Sequence, residues 1–180
     1  MGDLLNYATA VNVLIQAYQE PTEAALERAK QVIASQRAKG VLLAMTGFLA
    51  MLGEVFRLAG RCAEGLAVIA EALAQVERTG ERVYEAEIWR IKGELLLQAA
   101  ASQAQTEAEA CFQQAIEIAQ QQSAKSWELR AATRLARLWQ QQGKTAAAQQ
   151  MLAEIYGWFT EGFATADLIE AKTLLDELQQ

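Results

Sequence analysis

Apolar residues recur along this chain every three to four positions, and glycine or small polar residues break the runs at intervals. That period is the signature of amphipathic α-helices. Val11, Leu14, Ile15 and Tyr18 form the first run, and Leu26, Ala29 and Ile33 form the second. The single Pro21 stands between them. Proline is harmless in a first helical turn and disruptive further in, so a weakly patterned helical pair is expected over 1–39. An apolar helix is expected from about Val41 to Leu58, ended by Gly60, and another from Cys62 to Arg78, ended by Gly80. A long helix follows from about Val83 to Ala100, then a small polar loop from Ala101 to Gln105. Thr106-Glu107-Ala108-Glu109 reads as a capping box opening a helix to about Gln121. Further helices are expected over Trp127–Gln142, ended by Gly143, then Thr145–Tyr156 and Ala166–Leu178. Glycine just past a helix suits a left-handed C-terminal cap. The Val-, Ile- and Thr-rich alternation of strands is missing, and Ala, Leu, Glu and Gln dominate. The Gln runs at 120–122 and 140–142 fall at helix ends and read as solvated surface.

Three stretches of this pattern repeat one another. Leu49-x2-Leu52-Gly53-x2-Phe56 is followed by Gly65-x3-Ile69-x2-Ala72. Trp89-x2-Lys92-Gly93-x2-Leu96 is followed by Ala108-x3-Phe112-x2-Ala115. Ala132-x2-Leu135-Ala136-x2-Trp139 is followed by Ala148-x3-Leu152-x2-Ile155. The chain thereby resembles the tetratricopeptide family. The resemblance implies an all-α fold, a right-handed α-α superhelix of about four helical hairpins with a C-terminal capping helix. Its units are a degenerate pair over 1–39, repeats over 41–80, 83–121 and 126–156, and a cap over 165–178. In such a stack Gly53, Gly93 and Ala136 fall where the two helices of a hairpin meet, and Ala72 and Ala115 where hairpins touch. Phe56, Trp89, Phe112 and Trp139 fill the gaps between. The small residues are 40 and 43 positions apart (53 to 93, 93 to 136), longer than the standard repeat of about 34.

A second resemblance runs from about Gly40 to the last residue. Glu81 to Glu87, Lys92 to Leu97, Ala108 to Ala119, Tyr156 to Phe163 and Leu174 to Leu178 are similar to the C-terminal repeat region of large bacterial signalling proteins. Those proteins carry an adenylate/guanylate cyclase domain and an AAA-type ATPase ahead of their repeats. The resemblance implies a regulatory, non-catalytic module, and the catalytic domains lie outside this chain.

Composition narrows the function further. Sixteen Lys and Arg against 22 Asp and Glu give a formal net charge of −6, which argues against general binding of nucleic acid. Histidine is absent, which removes Ser-His and Cys-His pairs and His-ligated zinc. Cys62 and Cys111 are far apart in sequence and read as small, buried, reduced residues. Met1-Gly2-Asp3 lacks the positive flank of a signal peptide, and the uncharged run Gly40–Gly53 is shorter than the ~20 residues that span a bilayer. These features point to a cytoplasmic chain without a membrane partner. Gly143-Lys144-Thr145 has the tail of a phosphate-binding loop, but Leu138 stands where a further glycine is required, so it reads as a helix stop and restart. The scarce Asp3, Asp167 and Asp176 form no metal-binding loop. No catalytic, cofactor-binding or metal-binding residue is expected.

What remains is a partner-binding groove. Glu87, Arg90 and Glu94 lie three and four apart, share a helix face and pair with one another, which reads as a solvated, charge-balanced face. In the tetratricopeptide register Glu54, Arg57, Glu87, Arg90, Glu94, Arg130 and Arg137 line the concave side. The lining is expected to pass from mixed or acidic to basic along the stack and to hold a peptide or protein partner. A small-metabolite sensor regulating a linked ATPase or cyclase is the alternative. The asparagines Asn6 and Asn12 lie outside the three good repeats, against a chaperone-type carboxylate clamp. The aromatic stretch Trp158-Phe159 to Phe163 is expected to cover the end of the stack, and an open apolar face around Val11 to Tyr18 would promote self-association.

Overall fold

The protein's computed structural model describes residues 2–40, 44–100 and 103–179, with side chains from Tyr7 onward. The expected helix start at Val41, the loop residues Ala101 and Ser102, and the side chains of Asp3 and Asn6 lie outside them. Among the described residues the chain is all-helical: α1 (Gly2–Gln19), α2 (Glu23–Ala38), α3 (Met45–Leu58), α4 (Cys62–Thr79), α5 (Glu85–Ala99), α6 (Ala104–Gln121), α7 (Lys125–Gln141), α8 (Thr145–Tyr156) and α9 (Ala166–Leu178).

Glycine ends several of these helices as expected. Gly60, Gly80 and Gly143 have φ of +72°, +72° and +76°, where a side chain would be strained. Gly143-Lys144-Thr145 is the stop of α7 and the start of α8. Pro21 lies outside both of its neighbouring helices; Thr22 caps α2, its hydroxyl accepting from the Ala25 amide at 3.3 Å. The capping box at Thr106 does not form. α6 begins two residues earlier, at Ala104, so Thr106 sits inside the first turn. The Glu109 carboxylate accepts instead from Trp139 Nε1 at 2.8 Å and from Lys144 Nζ at 3.3 Å, because a partner on α7 outcompetes its own helix end.

The helices pack in a simple order. α1, α3, α5, α7 and α9 each lie against the next odd-numbered helix, while α2, α4, α6 and α8 each touch only the odd-numbered helices on either side. The core is therefore a ribbon between two layers. Gly53, Gly93 and Ala136 are where this ribbon is tightest. A Cβ on Gly53 would lie 2.6 Å from Ile69 Cδ1, and one on Gly93 would lie 2.5 Å from Phe112 Cε1. Ala72, Ala115 and Ala136 are fully buried. Phe56 and Phe112 fill the core, whereas Trp89 and Trp139 are only partly buried at its edge. Two glycines in α3 and α4 serve the same close approach: Gly47 against the Tyr84 ring and Gly65 against Leu95, each with a Cβ position 2.6 Å from its neighbour.

Three expectations are corrected. In α1 the buried face is Ala10, Leu14 and Ala17, and Ile15 and Tyr18 are half exposed. Cys62 is partly exposed, while Cys111 is buried and both are free thiols. Trp158 and Phe163 are 58% and 49% exposed, so the aromatic stretch, apart from the partly buried Phe159, does not cover the end of the row. Leu168, Ala171, Leu174 and Leu175 of α9 do, packing against α7 and α8. Burial of the Cys111 thiol pushes its pKa up, which makes it a poor nucleophile. No helix among the described residues is long and apolar enough to cross a membrane.

Candidate functional site

One face of the odd-numbered helices carries the chemistry. Arg57 and Glu54 of α3, Glu87, Arg90 and Glu94 of α5, and Arg130 and Arg137 of α7 all fall on it, as their helical register requires. They do not form a solvated face. Arg90 exposes only 7% of its side chain, hydrogen-bonds Glu87 at 2.8 Å, and lies in ion-pair contact with Glu94 at 2.7 Å and Glu54 at 3.6 Å. Arg57 hydrogen-bonds Glu54 at 2.8 Å on its own helix and lies in ion-pair contact with Glu94, 3.0 Å away on α5. Arg130 reaches Glu87 of α5 at 3.2 Å and Asp167 of α9 at 2.7 Å. The pairs thus run without a break from α3 to α9.

Four members escaped the sequence reading. Arg134 joins Glu94 at 2.5 Å to Glu170 at 2.6 Å, and Arg137 approaches Glu170 at 3.4 Å and Glu177 at 3.9 Å. Arg134, Asp167, Glu170 and Glu177 were hidden because helical period gives no information about which helix lies opposite. Their presence also overturns the expected passage from acidic to basic. The arginines of α7 face acids of α9, so the strip is paired to its far end.

Pairing outweighs the cost of burial and keeps the network ionised. Removing Glu87 from water would raise its pKa, but the charge of Arg90 and hydrogen bonds from Arg90 and Arg130 outweigh that and hold the carboxyl below its ordinary value. Burial disfavours the charged Arg90 guanidinium as well, and Glu87, Glu94 and Glu54 more than compensate, so it stays protonated at every accessible pH. A charge this buried is tolerated only when paired and hydrogen-bonded.

Beside the network lies a cavity of about 500 Å³. Its apolar wall combines Ile15 and Tyr18 of α1, Ala50 and Met51 of α3, Ile91 of α5, Tyr84 and Trp127. Its polar wall is Glu54, Glu87, Arg90, Arg130, Arg134 and Asp167. Tyr84, at the start of α5, fits because Gly47 leaves room for its ring, which lies 5.7 Å from the Trp127 ring. Burial, with Tyr7 and Glu81 nearby, raises the Tyr84 phenol pKa, so it is a neutral donor at neutral pH. Ile15 and Tyr18, read in the sequence as an open apolar end, therefore line this cavity. A second cavity of about 670 Å³ lies further along, lined by Arg57, Glu94, Leu97, Phe112, Arg134 and Arg137 among others. Arg134 borders both. Among the described residues no three acidic or cysteine side chains converge as a metal site.

No protein-family model and no curated protein matches this chain.

Proposed function

We propose that this chain is a non-catalytic interaction module, a right-handed α-α superhelix of the tetratricopeptide type, which binds a peptide or protein partner on the face formed by its odd-numbered helices. The observation that carries the reading is the alignment of two adjoining cavities and one ion-pair strip along that single face, from α1 to α9. Layering in which each helix meets only helices one or two places along the chain fits a repeat array, and such arrays present extended binding surfaces. The resemblance to repeat regions of bacterial cyclase–ATPase proteins supports a regulatory role in bacterial signalling, in the cytoplasm. A face whose acids are locked to guanidiniums suits recognition and not proton transfer, which needs a group poised near neutral pH.

The test is site-specific photocrosslinking in an extract of the native host. p-Benzoylphenylalanine in place of Ile15, inside the first cavity, is expected to yield discrete adducts that the same group in place of exposed Gln113 on α6 does not. Equal adduct patterns from the two positions would defeat the reading.

The volume of the first cavity favours a second reading, a sensor of a small metabolite, since ligand pockets commonly measure roughly 300–1,000 Å³. A thermal-shift screen that raises Tm with a compound, and loses the shift in Trp127→Ala, would select it over the peptide.

A further inference from the structure

The polar wall of the first cavity carries no net charge. Glu54, Glu87 and Asp167 are balanced by Arg90, Arg130 and Arg134, and each of the six has an opposite charge within 2.8 Å. Neither sign lies consistently above the other. Arg90 is the most buried of the six, and Asp167 is about as exposed as the Arg130 it neutralises. A charged ligand entering this recess gives up water and finds no charge left to answer its own. An uncharged ligand pays no such penalty.

The neutral polar groups of the wall are in the opposite condition. Among the described residues neither the Tyr84 hydroxyl nor the Trp127 indole N–H makes a hydrogen bond. Both residues are half-buried, and the polar tip of a buried Tyr or Trp ordinarily has a partner. Trp139, also half-buried, gives its Nε1 to Glu109 at 2.8 Å. The Tyr84 and Trp127 rings lie 5.7 Å apart, inclined at 39°, with Met51 and Ile15 on the same apolar wall.

From this contrast we infer the occupant of the first cavity: a small uncharged molecule with a planar ring and a hydrogen-bond-accepting oxygen or nitrogen. The ring packs against Tyr84 and Trp127, and the acceptor takes a hydrogen bond from the hydroxyl, the indole N–H or both. The paired charges give the recess a fixed, neutral wall and take no direct part in attraction. The inference rests on the small-metabolite reading of this cavity and specifies the ligand's chemistry. The second cavity and the rest of the strip remain for a protein partner.

The experiment titrates the full chain with probes that share a ring and differ in charge. Indole-3-acetamide, indole-3-acetate and tryptamine form one set; naphthalene-2-carboxamide and naphthalene-2-carboxylate form another. Binding is read from the Trp127 indole signal in ¹H–¹⁵N spectra, one of four tryptophan signals and the one missing from Trp127→Phe. In each set the amide is expected to bind at least about tenfold tighter than its charged relatives, because a charge taken into the recess is left unpaired. Its Kd should change less than about twofold between about 50 and 500 mM NaCl. Tyr84→Phe, which keeps the ring beside Gly47 and removes the hydroxyl, is expected to weaken the amide about threefold to tenfold with an unchanged circular dichroism spectrum. Ile15→Trp, at a half-exposed position, should fill the recess and abolish the shift. Affinity that falls steeply with salt, or indifference of the amide to both Tyr84→Phe and Ile15→Trp, would overturn the proposal. So would tighter binding of a blocked neutral peptide (acetyl-Gly-Ser-Trp-Ser-Gly-amide) than of either amide, which would give the cavity to a protein partner. If a charged probe binds best and Ile15→Trp blocks it, the metabolite reading stands and the ligand class is wrong. If no probe moves the Trp127 signal, the inference and the metabolite reading fall together, and adducts from benzoylphenylalanine at Ile15 would leave the protein-binding face standing.

Discussion

Gly93 and Gly53 hold equivalent places in two hairpins, yet their neighbours differ in how far they can yield. A methyl on Gly53 meets Cδ1 and Cγ1 of the buried Ile69 at 2.6 and 2.8 Å, contacts that a χ2 change together with a small χ1 shift of this aliphatic chain can relieve. A methyl on Gly93 meets the rigid ring of Phe112, which is fully buried. Gly→Ala in a helix gains ~1 kcal/mol of propensity, and overpacking costs about 1–3 kcal/mol. Gly93→Ala is therefore expected to lower stability by about 1–2 kcal/mol and Gly53→Ala to stay within about 1 kcal/mol of the parent, as read from urea midpoints. Arg90 is the charged residue on which most depends. Arg90→Met leaves Glu87 and Glu94 buried beside an apolar side chain, and a loss of about 3–5 kcal/mol is expected by denaturant titration. Arg137→Gln, at the exposed end of the strip, is expected to change stability by less than about 1 kcal/mol.

At the scale of elements the strip ties four helices that are remote in sequence, and its strength follows the ionisation of its acids. Glu87 carries a depressed pKa in the folded chain, so the unfolded chain takes up the proton first as pH falls. Its contribution is therefore complete above the ordinary carboxylate value of 4.5 and is lost as the pH drops through the lower, folded value. The urea midpoint is expected to be flat between about pH 7 and pH 5.5 and to fall below about pH 5. Glu87→Gln should start lower and show a shallower fall; an unchanged slope would mean that Glu87 is not the group responsible. The helix starts show the same rule from the other side. Glu109 looks like half of a capping box in one dimension, but Trp139 of α7 and Lys144 just ahead of α8 are better partners in three.

Among the described residues each helix touches only helices one or two places along the chain, so stability should be distributed in local units. Leu174 of α9 is fully buried against α7 and α8. Leu174→Ala is expected to cost about 2–5 kcal/mol locally, seen as faster amide exchange in α7 to α9 with protection in α3 and α4 unchanged. Uniform acceleration across all helices would show a single cooperative core instead. The same row geometry brings Ile15 of α1 to the cavity that Arg130 of α7 borders, joining residues more than a hundred positions apart in one recess.

The helical period, the glycine stops and the small residues at 53, 93 and 136 were legible because each depends on neighbours within a turn or on the partner helix of one hairpin. Local spacing also put Glu54, Arg57, Glu87, Arg90, Glu94, Arg130 and Arg137 on one face. Whether that face is wet or buried, and what neutralises it, depends on α9 lying across α7 and supplying Asp167, Glu170 and Glu177. Likewise the cavity exists because Gly47 admits the Tyr84 ring beside Trp127, a meeting of α3, α5 and α7 that no local pattern encodes. Sequence settles what a residue offers within its own helix; only packing settles which distant group answers it, and charge burial and cavities are properties of that second choice.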